Sequence, residues 1–371
     1  MNTLADIHYF PRADLVHAIH QALGSGLTHA ITMFAARRMG KTLFVRNDLV
    51  PAAEAWGWRA CYIDLWVRRD HPEVALVEEL EAAARPKGLL SKAIKPDKVT
   101  AKAAYAGSGV HAEWTKTGAQ ADLQGRLRTA MQNLAQASNK PVLLILDEFQ
   151  TLAAGMHEDF VACFRASMLE LQPKLKLFFT GSSRDALNEM FRKRRAPLFD
   201  AALSLPLPQL GDDFVANRGH IFAQITGRKV DQVELARVFE RIARVPLYLN
   251  QIILHMVVGI ISDPWDGLRR WQHEIGETGL REQWLRLKPI DRIILQHLAT
   301  QQPESLFSTD FSAMVTDRLE EKNACNPQRV QTAVNRLVKN LVLAPKGEKG
   351  EYEIEDRALA THLASGSIPA R

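Results

Sequence analysis

The chain has 371 residues, of which 46% are hydrophobic and 24% are charged, and its formal net charge is +5 at pH 7. This length suits two or three domains, and the mild basic excess permits a nucleic-acid partner without arguing strongly for one. The three cysteines lie far apart, which favours a reducing compartment over a disulfide framework or a metal site. The longest apolar run, 252–261, is about half of what a membrane span needs, and segment 1–14 lacks the apolar core of a signal peptide. We therefore expect a cytoplasmic protein with no membrane partner.

Hydrophobic strands alternate with helical patterns over residues 1–211. A helix is predicted over 15–23, a buried strand over 30–34, and then a helix that stops at Pro51. The later strands are predicted at 59–65, 142–146, 175–180 and 203–207, and the later helices at 123–137 and 160–171. A β-hairpin insertion is predicted at about 97–116. The alternation predicts an α/β domain built on an open parallel sheet.

A candidate phosphate-binding loop lies between the strand at 30–34 and the next helix. It reads Ala35-Ala36-Arg37-Arg38-Met39-Gly40-Lys41-Thr42, followed by Leu43. A strand-to-helix loop directs backbone N–H groups and a helix N-terminus at an anion, which suits a nucleotide phosphate. Lys41 would reach the β- and γ-phosphates, and the Thr42 hydroxyl would ligate Mg²⁺. The motif expects glycine where Ala35 stands, so we expect a tighter or slightly reshaped first turn of the loop.

The strand predicted at 142–146 delivers two acids, Asp147 and Glu148, at its carboxyl end. Ligands bind at that edge of such sheets. Asp147 would hold Mg²⁺ through water, and Glu148 would act as the general base on the attacking water. The plainer interpretation is two solvated acids that cap the next helix. Both motifs in order predict Mg-ATP binding and ATP hydrolysis. Guanine is disfavoured, since Asn139-Lys140 runs into Pro141 instead of completing an Asn-Lys-x-Asp segment.

The order of motifs resembles the archaeal-type ATPases, prokaryotic AAA+/STAND-like proteins related to origin-recognition ATPases. The resemblance is carried by the loop, by the turn at 146–150 and by Thr180-Gly181-Ser182-Ser183. It extends to Phe10-Pro11-Arg12, similar to a motif that lies against adenine, and to 244–249, similar to a lid motif containing Pro246. It implies a P-loop (ASCE, AAA+-like) three-layer α/β domain over 1–211. In its sheet an extra strand lies between the strand before the loop, at 30–34, and the strand before the two acids, at 142–146. It further implies a helical lid over 212–278 and a C-terminal winged helix over 279–371.

The resemblance also implies polar residues that sense the nucleotide. Ser182 or Ser183 would be sensor 1, unless the segment is a plain strand-to-helix turn. Arg244 stands beside Ala243 where the family often has two glycines, and it is either a sensor-2 cation or an exposed helix-end residue. The basic cluster containing Arg192, Arg194 and Arg195 is either an arginine finger that acts on a neighbouring subunit or a solvated surface.

Three helices and a hairpin complete the chain, at 279–300, 309–321, 327–341, 341–344 and 352–354. The outer face of the third helix carries Arg329, Arg336 and Lys339, which could contact double-stranded DNA. Several acidic residues lie in the hairpin, the wing of the winged helix, and would repel DNA. Protein docking is therefore the competing interpretation. The function hypotheses are an ATP-driven switch coupled to the winged helix, a DNA-associated initiator-like or transposition-regulating ATPase, and a nucleotide-binding scaffold with little turnover. A protein partner or homo-oligomer is compatible with each.

Overall fold

The computed structural model describes twelve stretches of the chain. They are residues 9–68, 70–85, 116–137, 139–153, 157–182, 184–275, 281–300, 305–319, 325–340, 342–345, 350–355 and 357–364. The hairpin predicted at about 97–116 falls outside these stretches except for its last residue, and Ser183 falls outside them as well. Among the helices so described, none combines the length and the apolarity that crossing a membrane requires.

Five parallel strands form the central sheet in the order β2-β3-β4-β1-β5. They are β1 (Ala30–Phe34), β2 (Arg59–Asp64), β3 (Val142–Asp147), β4 (Leu175–Gly181) and β5 (Leu203–Pro206). Strand β4 pairs with β1 on one side and with β3 on the other, so the extra strand implied between the two motif strands is present. The candidate loop follows β1 and the two acids end β3. Parallel strands end at a common edge, which brings these segments together.

Helices cover both faces of the sheet and give the predicted three layers. The helices that precede the bundle are α1 (Ala13–Gly24), α2 (Lys41–Phe44, continued by Val45–Leu49 and Val50–Ala55), α3 (Pro72–Ala84), α4 (Lys116–Gln136), α5 (Glu158–Glu170) and α6 (Arg184–Arg192). Helices α1 and α2 pack on one face with Ile31 and Ile145, and α3 to α6 pack on the other with Leu144 and Leu146. Every position of β3 is buried, which explains its continuous aliphatic sequence.

Helix α2 does not stop at Pro51, as the sequence predicted, but continues to Ala55. Its middle segment, Val45–Leu49, is a wider π-type turn in which the N–H of Val50 donates to the carbonyl of Val45, five residues back. Proline lacks an N–H and its ring clashes with the carbonyl four residues earlier. The wide turn just before Pro51 relieves that conflict, because it already breaks the regular hydrogen-bond pattern.

A bundle of four helices follows the sheet. Its members are α7 (Asp212–Thr226), α8 (Gln232–Arg241), α9 (Pro246–Val258) and α10 (Pro264–Ile275). Helix α10 packs on α8 and α9, and α7 packs on the same pair. The bundle shares one buried cluster with the α1 face of the sheet and with the C-terminal helices, so all three parts pack on a common core.

The C-terminal part has the predicted winged-helix order of elements. They are α11 (Arg281–Arg286), α12 (Pro289–Thr300), α13 (Thr309–Leu319), α14 (Pro327–Lys339), β6 (Leu343–Pro345), β7 (Tyr352–Ile354) and α15 (Arg357–Ala364), with β6 and β7 antiparallel. The prediction of a single helix over 279–300 is wrong. The helix is interrupted before Pro289, because the residue that precedes a proline disfavours the helical conformation. The Arg292 side chain donates to the carbonyls of Trp284 and Leu285, which satisfies the exposed end of α11.

Candidate nucleotide site

The loop from Ala35 to Gly40 turns between β1 and α2. Positive φ angles occur at Arg38 (68°) and Gly40 (87°) and not at Ala35. The N–H of Ala35 donates to the carbonyl of Gly181 at 3.2 Å, which extends the β1–β4 pairing by one residue. Alanine therefore fits where the motif expects glycine, and the conformation that favours glycine falls at Gly40, directly before α2 begins.

Lys41 is the centre of an ion-pair cluster. Its Nζ lies 2.8 Å from Asp147 Oδ1 and 2.5 Å from Glu148 Oε1, and the residue is only 7% exposed. Burial alone would raise the pKa of the Asp147 carboxyl, but the Lys41 charge and the hydrogen bonds from Lys41, Thr180 and Tyr62 hold that pKa below its ordinary value. The structure thus brings both predicted acids to the predicted lysine.

Two contacts of Asp147 were missed by the sequence interpretation, which named Thr180 only within the sensor-1 segment and did not name Tyr62. The Tyr62 hydroxyl donates to Asp147 Oδ2 at 2.9 Å, the same oxygen that accepts the Thr42 hydroxyl at 3.0 Å. The Thr180 hydroxyl donates to the other oxygen, Oδ1. Burial, and then the neighbouring carboxylate, raise the pKa of Tyr62, so its hydroxyl keeps its proton. The available signal was position, since both residues stand near the carboxyl ends of strands that flank β3.

Glu148 is held by Ser182, which directly follows β4. Ser182 donates to Glu148 Oε2 at 2.8 Å, and the Gln150 amide donates to the same oxygen. Side chains alternate along a strand, so Thr180 and Ser182 share a face and contact the two consecutive acids. Glu148 has a φ of 57°, an uncommon left-handed conformation that clusters at functional sites. Ser182 is the described sensor-1 candidate, and Ser183 lies outside the described residues.

Gln150 reaches this position because residue 181 is glycine. A Cβ added to Gly181 would lie 2.4 Å from Gln150 Oε1 and 2.6 Å from Leu187 Cδ1, closer than real Cβ contacts allow. Gln150 Nε2 also lies 3.3 Å from the Ser182 hydroxyl. The glycine in the Thr-Gly-Ser segment therefore makes room for the amide that orients Glu148.

The two loop arginines contact two other parts of the chain. Arg37 Nε lies 3.1 Å from Glu355 Oε1, directly after β7 of the wing, and the guanidinium carbon lies 5.1 Å from the centroid of Trp66. Arg38 donates to the Tyr248 hydroxyl in α9, with its guanidinium carbon 5.4 Å from that ring. The loop is thus tied to the winged helix and to the bundle by adjacent residues.

The N-terminal arm contacts the same loop. Arg12 Nη2 donates to the carbonyl of Met39 at 3.1 Å, and Nη1 donates to the carbonyl of Pro208. The Arg12 N–H and the Tyr9 hydroxyl both donate to Asp48 Oδ2 of α2, at 2.8 Å and 2.5 Å. The arm is therefore fixed beside the loop.

The segment before α9 adopts a conformation that favours glycine. Ala243 and Arg244 have φ angles of 55° and 53°, at the two positions where the resembled family often has glycines. Arg244 Nε donates to Glu240 Oε1 at 2.7 Å, so in this conformation it pairs with its own helix end. Pro246 is buried and begins α9.

Other predicted site residues lie apart from the acids. Leu43 is 55% exposed. Arg192, at the end of α6, and Arg194 and Arg195, in the turn that follows, are exposed. The hydrogen bonds described for Lys41, Asp147 and Glu148 include no arginine. Arg195 instead lines a cavity of about 400 Å³ together with Leu152 and Ala153, which lie beyond the β3 acids.

Arg336, predicted to contact DNA, is partly exposed (29% of its side chain) and is paired with a buried acid. Its Nε lies 3.1 Å from Asp291 Oδ2, Nη2 donates to Oδ1, and Asp291 is only 2% exposed. The helical period of α14 predicted an outward Arg336. It could not reveal the partner of Arg336, because that acid lies on another helix, α12. Arg329 is half-buried on α14, and the side chain of Lys339 lies outside the described part of the chain.

The donor set at the strand ends fits a hard cation held with a nucleotide. Thr42 and Asp147 offer oxygen atoms already aligned by a hydrogen bond, and oxygen ligands are those that Mg²⁺ prefers. In the described stretches no three His, Cys, Asp or Glu residues form a metal-binding group. The residues therefore suit an ion that keeps waters and phosphate ligands, as Mg²⁺ does with nucleotides, and do not form an all-protein cage.

The strand order and the loop geometry define a P-loop fold of the AAA+ type. No protein-family model matches the chain, and no curated protein sequence matches it. Among solved structures, it is similar to the Walker-type ATPase PABY2304 of Pyrococcus abyssi, with a TM-score of 0.58 and 18% identity over 96% of each chain. It is also similar to the Aeropyrum pernix ORC1 protein in complex with DNA, with a TM-score of 0.53 and 12% identity over 98% of this chain and 94% of that one. The chain thus has the fold of the archaeal Walker-type and origin-recognition proteins that its motifs resembled.

Proposed function

We propose that this protein binds ATP with Mg²⁺, hydrolyses it, and works as a molecular switch. The observation that carries the proposal is the placement of Lys41. Its ammonium group contacts both Asp147 and Glu148, and the hydroxyl of the next residue, Thr42, donates to Asp147. A lysine at the start of a helix after a tight loop is the arrangement that receives nucleotide phosphates. Similarity of fold to a Walker-type ATPase supports the same assignment.

The present contacts support a proposed role for each residue. Phosphate oxygens compete with Glu148 for the Lys41 ammonium, so nucleotide binding would release the Glu148 carboxylate. Ser182 and Gln150 keep that carboxylate oriented, and the freed oxygen can accept a proton from the attacking water. Thr42 would ligate Mg²⁺ directly and Asp147 would hold it through water. The bound ion would neutralise charge that develops on the phosphates.

The switch is proposed to couple the loop to the lid and to the winged helix. In the proposed division, residues 1–211 bind nucleotide, 212–278 form the lid and 279–371 form the output domain. Arg38 contacts Tyr248 of the lid and Arg37 contacts Glu355 of the output domain. A phosphate that draws either guanidinium would change an interdomain contact, which is the kind of bistable element that switching requires.

Nucleotide binding is the direct test of the first step. Calorimetry should show ATP binding to the wild type and a loss of at least about tenfold in affinity for Lys41→Ala, since the lysine supplies a charge-assisted contact to phosphate. Lys193→Ala is the matched control, because Lys193 is exposed and pairs with Glu189 on α6. Equal affinity of the wild type and Lys41→Ala would contradict the proposed site.

A DNA-associated, initiator-like ATPase is the second candidate. The similarity of fold to an ORC1 protein solved with DNA favours it. Against it, the pairing of Arg336 with Asp291 leaves α14, the helix predicted to contact DNA, with fewer available cations. This candidate predicts ATPase activity stimulated by double-stranded DNA, with a stimulation that weakens as salt rises. A rate unmoved by DNA would favour a switch triggered by a protein partner or by self-assembly.

A further inference from the structure

Tyr62 lies on β2, outside every motif discussed in the sequence, yet it contacts the carboxylate assigned to the metal. We propose that Tyr62 is a positioning residue whose hydroxyl holds Asp147 Oδ2 in line with the Thr42 hydroxyl. Mg²⁺ arriving with nucleotide would then meet a pre-set pair of oxygens. The inference rests on the proposed function and adds a residue to its site.

The fold gives Tyr62 this access. The register of β2 and β3 pairs Tyr62 with Ile145 and Asp64 with Asp147. The Tyr62 side chain lies on the face covered by α1 and α2, with Ile145, whereas its neighbours Cys61 and Ile63 pack on the opposite face. The side chain is long enough to reach the end of β3, where its hydroxyl lies 2.9 Å from Asp147 Oδ2.

The ring of Tyr62 is itself held in place by α2. The guanidinium carbon of Arg46 lies 5.0 Å from the ring centroid, within the range of a cation–π contact. Arg46 stands four residues after Thr42, so the two share one face of the helix. One helix therefore supplies both the hydroxyl that binds Asp147 Oδ2 and the cation that packs on the tyrosine.

The hydrogen bonds to Asp147 differ in what nucleotide binding does to them. The Lys41 contact to Oδ1 competes with phosphate, so it weakens when the nucleotide binds. The contacts from Tyr62, Thr180 and the Glu148 N–H at 3.0 Å come from groups that do not reach for phosphate. Among these, Tyr62 is the donor to Oδ2, the oxygen that Thr42 shares. Tyr62 thus keeps that oxygen oriented when Lys41 turns to the nucleotide.

The test compares Tyr62→Phe with the wild type by calorimetry with β,γ-imido-ATP, once in Mg²⁺ and once in EDTA. The Kd in EDTA divided by the Kd in Mg²⁺ measures the contribution of the metal. We expect this ratio to fall about tenfold in Tyr62→Phe, at the lower end of the effect of outer partners on metal affinity. The Kd in EDTA should stay unchanged, because the lost hydroxyl does not touch the nucleotide.

Tyr9→Phe is the matched control, since it removes another tyrosine hydrogen bond to an aspartate, Asp48, and should leave the ratio unchanged. An unchanged ratio in Tyr62→Phe, or equal weakening in Mg²⁺ and EDTA, would overturn the role of Tyr62. A wild type whose affinity is independent of Mg²⁺ would overturn it as well. A wild type that binds no nucleotide in either buffer would instead refute the proposed function, and the inference with it.

Discussion

Arg37 Nε lies 3.1 Å from Glu355 Oε1, so one ion pair joins the candidate phosphate-binding loop to the end of the wing. The Glu355 side chain is 12% exposed and the Arg37 side chain is 36% exposed, and solvent screens such a pair less than a fully exposed one. The loop cation next to the predicted phosphate position is therefore engaged by the winged helix in this conformation. Nucleotide binding and the wing contact are expected to compete for Arg37.

Glu355→Gln should tighten nucleotide binding by about two- to fivefold. The substitution removes the charge that competes with phosphate for Arg37, and a partly exposed ion pair contributes up to about 1 kcal/mol. Titration of ADP into the two proteins measures the effect. Glu353→Gln, which changes an exposed acid on β7, is the control and should leave nucleotide binding unchanged. Unchanged or weaker binding by Glu355→Gln would remove the proposed competition.

Ala243→Gly should stabilise the protein by about 0.5 kcal/mol. Its φ of 55° places a side chain in the left-handed region, which costs about 1–2 kcal/mol, partly offset by the greater freedom of glycine in the unfolded chain. Ala166→Gly in the exposed face of α5 is the matched control and should destabilise by about 1 kcal/mol. Thermal unfolding of both variants decides, and a loss of stability in Ala243→Gly would contradict the strain argument.

Arg336→Ala should destabilise the winged helix by about 3 kcal/mol. The substitution leaves Asp291, which is 2% exposed, as a buried carboxylate without its guanidinium partner. Urea denaturation measures the loss. Arg318→Ala, on the exposed surface of α13, should remain within about 0.5 kcal/mol of the wild type. Equal stability of both variants would restore Arg336 as a surface cation available to DNA.

The strands and the two acids could be predicted because their signals are local. The strand at Ala30–Phe34 and the wing strand at Tyr352–Ile354 have the bounds that their sequences indicated. A run of aliphatic residues that ends in two acids is compatible with few local structures. The one observed is a fully buried strand, β3, that ends at Asp147. The Gly-Lys-Thr sequence likewise needs only its own strand and helix to be recognised.

The missed features depend on residues distant in sequence. Tyr62 becomes a partner of Asp147 only through the register of β2 on β3. Arg336 is paired with an aspartate on another helix, and helical periodicity alone does not contain that partner. The contact of Arg37 with Glu355 joins opposite ends of the chain. Such contacts follow from packing, which a single sequence does not display.

The measurement that tests the central claim most directly is ATP turnover by the wild type and by Glu148→Gln in Mg²⁺. Removing the carboxylate removes the proposed general base while leaving an amide of the same size. The account predicts measurable turnover by the wild type, a rate at least about 100-fold lower in Glu148→Gln, and ATP binding retained by the variant. Equal rates in the two proteins would contradict the catalytic assignment of Glu148, and an inactive wild type that still binds ATP would indicate a nucleotide-binding scaffold.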